Sequence, residues 1–234
     1  MIKKWVYSKI DNKKIEEVAE KNNISKLLAK IVLSRGINEE EIPKFLKPEI
    51  SGLYDPFLFN GMDLAVDAII ESIDNKEKIT IYGDYDVDGI TSVAVLKSYL
   101  LELGADVEHY LPNRLEEGYG LNNDALDKIA DNGTKMLITV DCGISAYDEV
   151  EYAKAKGMKV IVTDHHECPE KLPEAIAVLD AKRPDSTYPF SSLAGVGVTF
   201  KLIQAISLRK DLDRKSYLKY IDIVALGTIA DIVP

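Results

Sequence analysis

The sequence predicts an α/β protein, a parallel β-sheet flanked by helices on both faces, led by a small, mostly helical N-terminal lobe. Three observations point there. Short β-branched runs follow one another from residue 78 onward: ITIYGD, VEHYLP, MLITVD, KVIVTD and AIAVLD. Helical spacing fills most of the gaps between them, in GITSVAVLKSYLLELG, NDALDKIADNG and AYDEVEYAKAKG. The strand runs are apolar throughout instead of alternating, which is the pattern of strands buried on both sides.

Taken in order, residues 1–75 form the lobe and its lead-in. ISKLLAKIVLSRGI and MDLAVDAIIESI carry apolar residues at helical intervals. Between them, KFLKPEISGLYDPF reads as loop, because its two prolines and one glycine interrupt any periodicity. Trp5 and Tyr7 read as packing residues of the lobe, not as a stacking pair for nucleic acid. Residues 76–234 form the α/β domain.

Composition narrows the function. The chain has 234 residues, 46% apolar and 29% charged, and no stretch approaches the run of about 18 uncharged apolar residues that a membrane span needs. The opening MIKKWVYSKIDNKK has no apolar signal region, so a cytoplasmic protein without membrane contact is expected. Cys142 and Cys168 lie far apart and lack the paired spacing of a zinc site, so both are expected as reduced thiols. A net charge of −10 argues against a broad basic footprint for nucleic acid. It does not exclude nucleic acid, because divalent cations reverse the local sign where carboxylates cluster.

Such clusters stand at the strand ends, where open α/β sheets bind ligands. ITIYG runs into Asp84, Asp86 and Asp88; MLITV into Asp141; KVIVT into Asp164, His165, His166 and Glu167; and the helical run IDIVALGTIADIVP brings Asp231. Hard divalent cations take carboxylate oxygen, manganese also takes imidazole nitrogen, and a bridging carboxylate holds two ions about 3.5–4 Å apart. Alternate positions of an extended segment face one way, so all three aspartates of YGDYDVDG would face one site if the strand continued. Gly89 and the helix after it imply a turn, which leaves two of the three beside the metals and offers the helix-start amides of Ile90, Thr91 and Ser92 to an anion. His109, inside a strand run, reads as a structural residue.

YGDYDVDG, TVDCGIS, VTDHHE and ALGTIADIVP together resemble the four ordered motifs of the DHH phosphoesterase superfamily, and HYLPNRLEEGYGLN and AGVGVTFKL resemble segments of its RecJ exonuclease branch. The resemblance covers about residues 50–234. It implies two divalent ions, Mn²⁺ or Mg²⁺, with Asp86 and Asp88 giving one acid to each, Asp141 bridging, and His165 and Asp231 completing the second. His166 falls near the scissile phosphate and Arg114 on a phosphate, while Asp84 is either an added ligand or an acid supporting one.

The resemblance further implies metal-assisted hydrolysis of single-stranded DNA from its 5′ end to mononucleotides, in repair and recombination, with a single-strand-binding protein or a helicase as partners. Proteins of this kind continue past the last motif into a DHH-associated domain and an OB-fold. Pro234 follows Asp231 by three residues, so those domains and much of the DNA groove are expected to be absent from this chain. Two alternatives share the motifs: a phosphodiesterase for short oligonucleotides or cyclic dinucleotides, and a metal-free scaffold.

Overall fold

The computed structural model describes residues 9–113, 118 and 120–233. It divides into two compact units, Met1–Leu53 and Tyr54–Pro234. The first holds α1 (Asn12–Asn22), α2 (Lys26–Ser34) and α3 (Ile42–Leu46) around a small core of Ile15, Val18, Ala29, Val32 and Ile42. Asp11 and Ser25 begin α1 and α2 by accepting the N–H of Lys13 and Leu28. The segment expected to be loop, residues 44–57, takes in the end of α3, the 3₁₀ turn Ile50–Gly52 and most of a second, Pro56–Leu58. Proline tolerates the first turn of a helix, where its missing N–H is not needed; Pro56 is the first residue of its turn and Pro43 the second of α3.

The second unit begins at Tyr54 and not near residue 76, because α4 (Met62–Asp74) belongs to the larger body. It packs on α8 (Gly195–Arg209) and on the strand Ala177–Leu179. Lys201 of α8 also donates to the Tyr54 carbonyl at 2.9 Å.

The sheet is five-stranded and wholly parallel: β1 (Ile79–Gly83), β2 (Val107–Tyr110), β3 (Met136–Val140), β4 (Lys159–Thr163) and β5 (Ala177–Leu179), in the order β2-β1-β3-β4-β5. Residues pointing to one face, Tyr82, Leu137, Val160, Val162 and Val178, pack against α6 (Asn123–Asp131) and α7 (Tyr147–Ala155). The opposite face is covered by α5 (Val87–Glu102) and α8, with α10 (Ile221–Asp231) packed on both of these and the short α9 (Lys215–Leu218) on α8. Both sides of β1, β3, β4 and β5 are therefore largely dry, which is why these strands do not alternate in sequence, while the edge strand β2 exposes Glu108 and His109. The chain leaves β1 toward β2 on one side and returns to β3 on the other, so the strand order reverses at β1/β3. Crevices for ligands open at such a reversal, beyond the carboxyl ends of the strands.

Candidate metal centre

The acids emerge where that crevice lies. The register pairs Gly83 with Val140 and Val140 with Thr163, so Asp84, Asp141 and Asp164 leave three neighbouring strands at one level. All three are buried. β1 ends at Gly83, and Asp86 becomes the N-cap of α5, accepting the Gly89 N–H at 2.9 Å. The helix thus starts a turn earlier than the sequence suggested: the Ile90 N–H is taken by the Asp86 carbonyl and is not offered to an anion. Gly89 is required by close approach, since a Cβ there would lie 2.5 Å from the Asp84 carbonyl oxygen.

Asp88 turns the other way. Its oxygens accept the N–H groups of Gly195 at 2.6 Å and Val196 at 2.8 Å, placing a carboxylate at the positive N-terminal end of α8. Asp141 has a left-handed backbone, φ 59°, a conformation that aspartate tolerates better than most residues and that concentrates at functional sites. Asp231 closes α10, whose Gly227 passes so near that a Cβ would lie 2.3 Å from Thr91 Oγ1 and 3.2 Å from Asp88 Oδ1.

Three groups of potential ligand atoms result, each with its members within 4.8 Å of one another: Asp84, Asp86 and Asp141; Asp88, His165 and Asp231; and Asp141, His165 and His166. They interlock through Asp141 and His165. All three aspartates of the first motif therefore stand in the cluster, where the sequence suggested two. A strand's alternation does not apply to a cap and a first helical turn, and the turn carries Asp88 to one side while leaving Asp84 and Asp86 on the other.

The cluster is short of positive charge. His165 Nε2 lies 3.1 Å from Asp141, 3.7 Å from Asp88 and 3.8 Å from Asp231, and among the described residues no lysine or arginine pairs with these acids. Beyond that 3.1 Å approach, Asp141 Oδ1 and both ring nitrogens of His165 are buried without a well-directed hydrogen bond. Burial, with Asp88 and Asp86 adding repulsion, pushes the Asp141 carboxyl up to about 7. Burial likewise raises Asp84 and Asp88. Buried, mutually repelling carboxylates with orphaned oxygens fit a resident divalent cation, and the oxygen-rich donor set with one imidazole suits Mn²⁺ or Mg²⁺.

Asp164, which names the third motif, is not in any of these groups. Its Oδ1 accepts from the backbone N–H groups of His165 and His166 and contacts His166 Nδ1 at 2.7 Å, and its Oδ2 accepts the Ile144 N–H at 2.8 Å. Burial alone would raise it, but these bonds hold it below the ordinary carboxylate range. In return, the Asp164 contact lifts half-exposed His166 to about 9, so the ring is a cation at neutral pH. Beside it a cavity of about 360 Å³ is lined by Leu121, Ile144, Ser145 and Glu149.

Other expectations fall elsewhere. Arg114, like Trp5 and Tyr7, lies outside the described residues. His109 is on β2 with Lys97 Nζ 2.9 Å from Nδ1, and takes no part. Both cysteines are free thiols raised by burial, Cys168 to about 11, and neither has thiolate character. Asp180, buried at the end of β5, was readable by the rule that found the other acids, since AIAVL also runs into an aspartate. Gly195 was less readable: a Cβ there would lie 2.5 Å from Asp141 Oδ1, a contact that only the packed fold reveals.

Comparison with known proteins agrees with this geometry. The chain is 42% identical over 234 residues to the single-stranded-DNA-specific exonuclease RecJ of Bacillus subtilis, covering 99% of this chain and 29% of that protein. It therefore spans under a third of that relative's length. Among solved structures, RecJ of Thermus thermophilus in complex with Mn²⁺ superposes with a TM-score of 0.77 at 30% identity, over 96% of this chain and 31% of that one. An exonuclease RecJ bound to manganese gives 0.69 at 37% identity, over 75% and 44%. The family model described as DHH family, N-terminal domain, matches residues 78–228. With well over half its length matched, the chain belongs to the DHH family.

Proposed function

We propose that this chain carries the metal centre of a single-strand-specific DNA exonuclease that hydrolyses phosphodiester bonds. The observation that carries the reading is the interlocking of three ligand groups through Asp141 and His165 at one edge of the sheet. In it, Asp86, Asp88, Asp141, His165 and Asp231 hold Mn²⁺ or Mg²⁺, with Asp84 beside Asp86 as a further acid. Such ions, when bound, supply Lewis acidity and a water that ionises near neutral pH.

The chain's own groups do the rest. Asp88, fastened to two α8 amides, and Asp141, fixed by its backbone turn, set the spacing of the donors. His166, kept protonated by Asp164, offers positive charge to the phosphoryl oxygens as negative charge builds there. Arg114 belongs to the proposal as a phosphate contact on its motif alone. The relatives' description as single-stranded-DNA-specific exonucleases and the manganese in two of their structures support the same substrate and metal. Attack from the 5′ end, release of mononucleotides, a place in repair and recombination, a cytoplasmic setting, and contacts with a single-strand-binding protein or a helicase are the finer parts of this proposal. No helix among the described residues is long and apolar enough to cross a membrane.

The test is label release from 5′-labelled and 3′-labelled single strands, with duplex as control, with and without Mn²⁺, in the unmutated protein and in Asp141→Ala. Manganese-dependent release of the 5′ label from single strands alone, lost in the variant, is expected. Unchanged turnover in Asp141→Ala would sink the metal-centre reading. Faster hydrolysis of dinucleotides or cyclic dinucleotides than of long strands would replace DNA as the substrate, and absence of cation binding would leave a scaffold.

A further inference from the structure

An imidazole that binds a metal through one nitrogen nearly always donates the other N–H to a carboxylate, a carbonyl or a water, which fixes the tautomer and the plane of the ring. His165 turns Nε2 toward Asp88, Asp141 and Asp231 and leaves Nδ1 buried with no hydrogen-bond partner. Buried polar atoms in that condition are few in native proteins and call for a specific partner.

A second such atom stands at the end of the adjacent strand. Asp180 is 2% exposed, and its Oδ2 is buried without a partner while Oδ1 accepts the Lys182 N–H at 2.7 Å. The ladder pairs Thr163 with Leu179, and the Asp164 N–H donates to the Leu179 carbonyl at 3.0 Å. Asp180 and the Asp164–His165 step therefore leave two adjacent strands side by side. Asp164 is not available to Nδ1, because both its oxygens are taken by His165 N, His166 and Ile144 N. Asp141 is engaged on the Nε2 side.

We infer that Asp180 is a positioning residue for His165: its Oδ2 accepts, through one buried water, the proton carried on Nδ1, and so keeps the Nε2 lone pair directed at the carboxylate cluster. The two side chains make no direct hydrogen bond, and a single water in a polar, buried gap bridges such a pair at little cost. This role rests on the metal-centre reading above, but its test does not depend on activity.

The sequence has only three histidines, so ¹⁵N-histidine labelling of the whole chain gives a small set of ring signals, assigned with His109→Gln and His166→Gln. With Mg²⁺ as a diamagnetic probe, His165 is expected to carry its proton on Nδ1, in slow exchange with solvent. Asp180→Asn, which keeps an acceptor oxygen, should retain that protection. Asp180→Leu, which is close in size and has none, should lose it, with Mn²⁺ affinity by calorimetry falling about 10- to 100-fold. A bare Nδ1 in the unmutated chain overturns the assignment without any variant, and so does Asp180→Leu with protection and affinity intact. If Mg²⁺ moves no His165 signal in the unmutated chain, the metal-centre reading fails. The protonation and exchange of Nδ1 in the metal-free chain then decide the role of Asp180 by the same criteria.

Discussion

Replacing Gly195 by alanine tests the centre without removing any ligand. The new Cβ would lie 2.5 Å from Asp141 Oδ1, 2.7 Å from its Cβ and 2.8 Å from its Cγ. The first contact is about 0.9 Å inside ordinary van der Waals separation, and overpacking of this kind costs about 1–3 kcal/mol. The strain has two outlets. The start of α8 can withdraw, which lengthens the bonds from Gly195 and Val196 to Asp88, or the Asp141 carboxylate can swing aside. The second relieves only the contact with the carboxylate oxygen, because Asp141 Cβ, 2.7 Å away, stays where the backbone holds it. Part of the cost therefore falls on the metal-free fold and part on the cation, which needs both acids in place. Mn²⁺ affinity by calorimetry should fall, by up to about 150-fold where all the strain falls on binding, and the metal-free melting temperature should fall as well. The rise in melting temperature on adding Mn²⁺ should shrink accordingly. Wild-type affinity in Gly195→Ala would refute the argument that the α8 glycine makes room for a ligand carboxylate.

Three further outcomes follow from the same contacts. Asp164→Ala leaves the N–H groups of Ile144, His165 and His166 without their acceptor and should lower stability by about 2–4 kcal/mol in urea unfolding; a change under about 0.5 kcal/mol would contradict the network. In the metal-free chain, Asp141 titrates near 7 instead of 3.8 and His166 near 9 instead of 6.5, so folding favours the protonated form of each. Their stabilisation is complete below pH 3.8 and 6.5 respectively and is lost as pH rises through about 7 and about 9; melting temperature should decline from pH 6.5 toward 8.5, less steeply in His166→Gln and with saturating Mn²⁺, and a rise over that range would be fatal to the assignment. Lys201 runs oppositely. Burial lowers it to about 8 from 10.5, so the folded state gains as pH climbs from 8 to 10.5; Lys201→Met should abolish that gain in alkaline melts, and an unchanged alkaline limb would count against it.

Much of the centre was legible because each acid follows an uninterrupted apolar run, and a parallel sheet exposes only the ends of such runs. Asp84, Asp141 and Asp164 needed no more than that rule. Asp86 and Asp88 needed the motif as well, because strand alternation does not reach them: Asp86 caps a helix and Asp88 lies in its first turn. The duty of Asp164 was hidden for another reason: accepting four hydrogen bonds from 144, 165 and 166 is a property of loop geometry, which no spacing of residue types encodes. In the same way, the short helix at Ile42–Leu46 runs into a stretch whose prolines suggested only loop.

The donors of this centre lie far apart in the sequence: Asp84 follows β1 and Asp231 closes α10. Synthesis proceeds from the N-terminus at about 5–20 residues per second, and domains fold as units. A nascent chain therefore carries Asp84, Asp86 and Asp141 out of the ribosome well before α10 emerges, and, folding as a unit, it keeps them waiting for Asp231. Chain growth itself makes the centre a late feature: its full set of donors comes together only once α10 has docked.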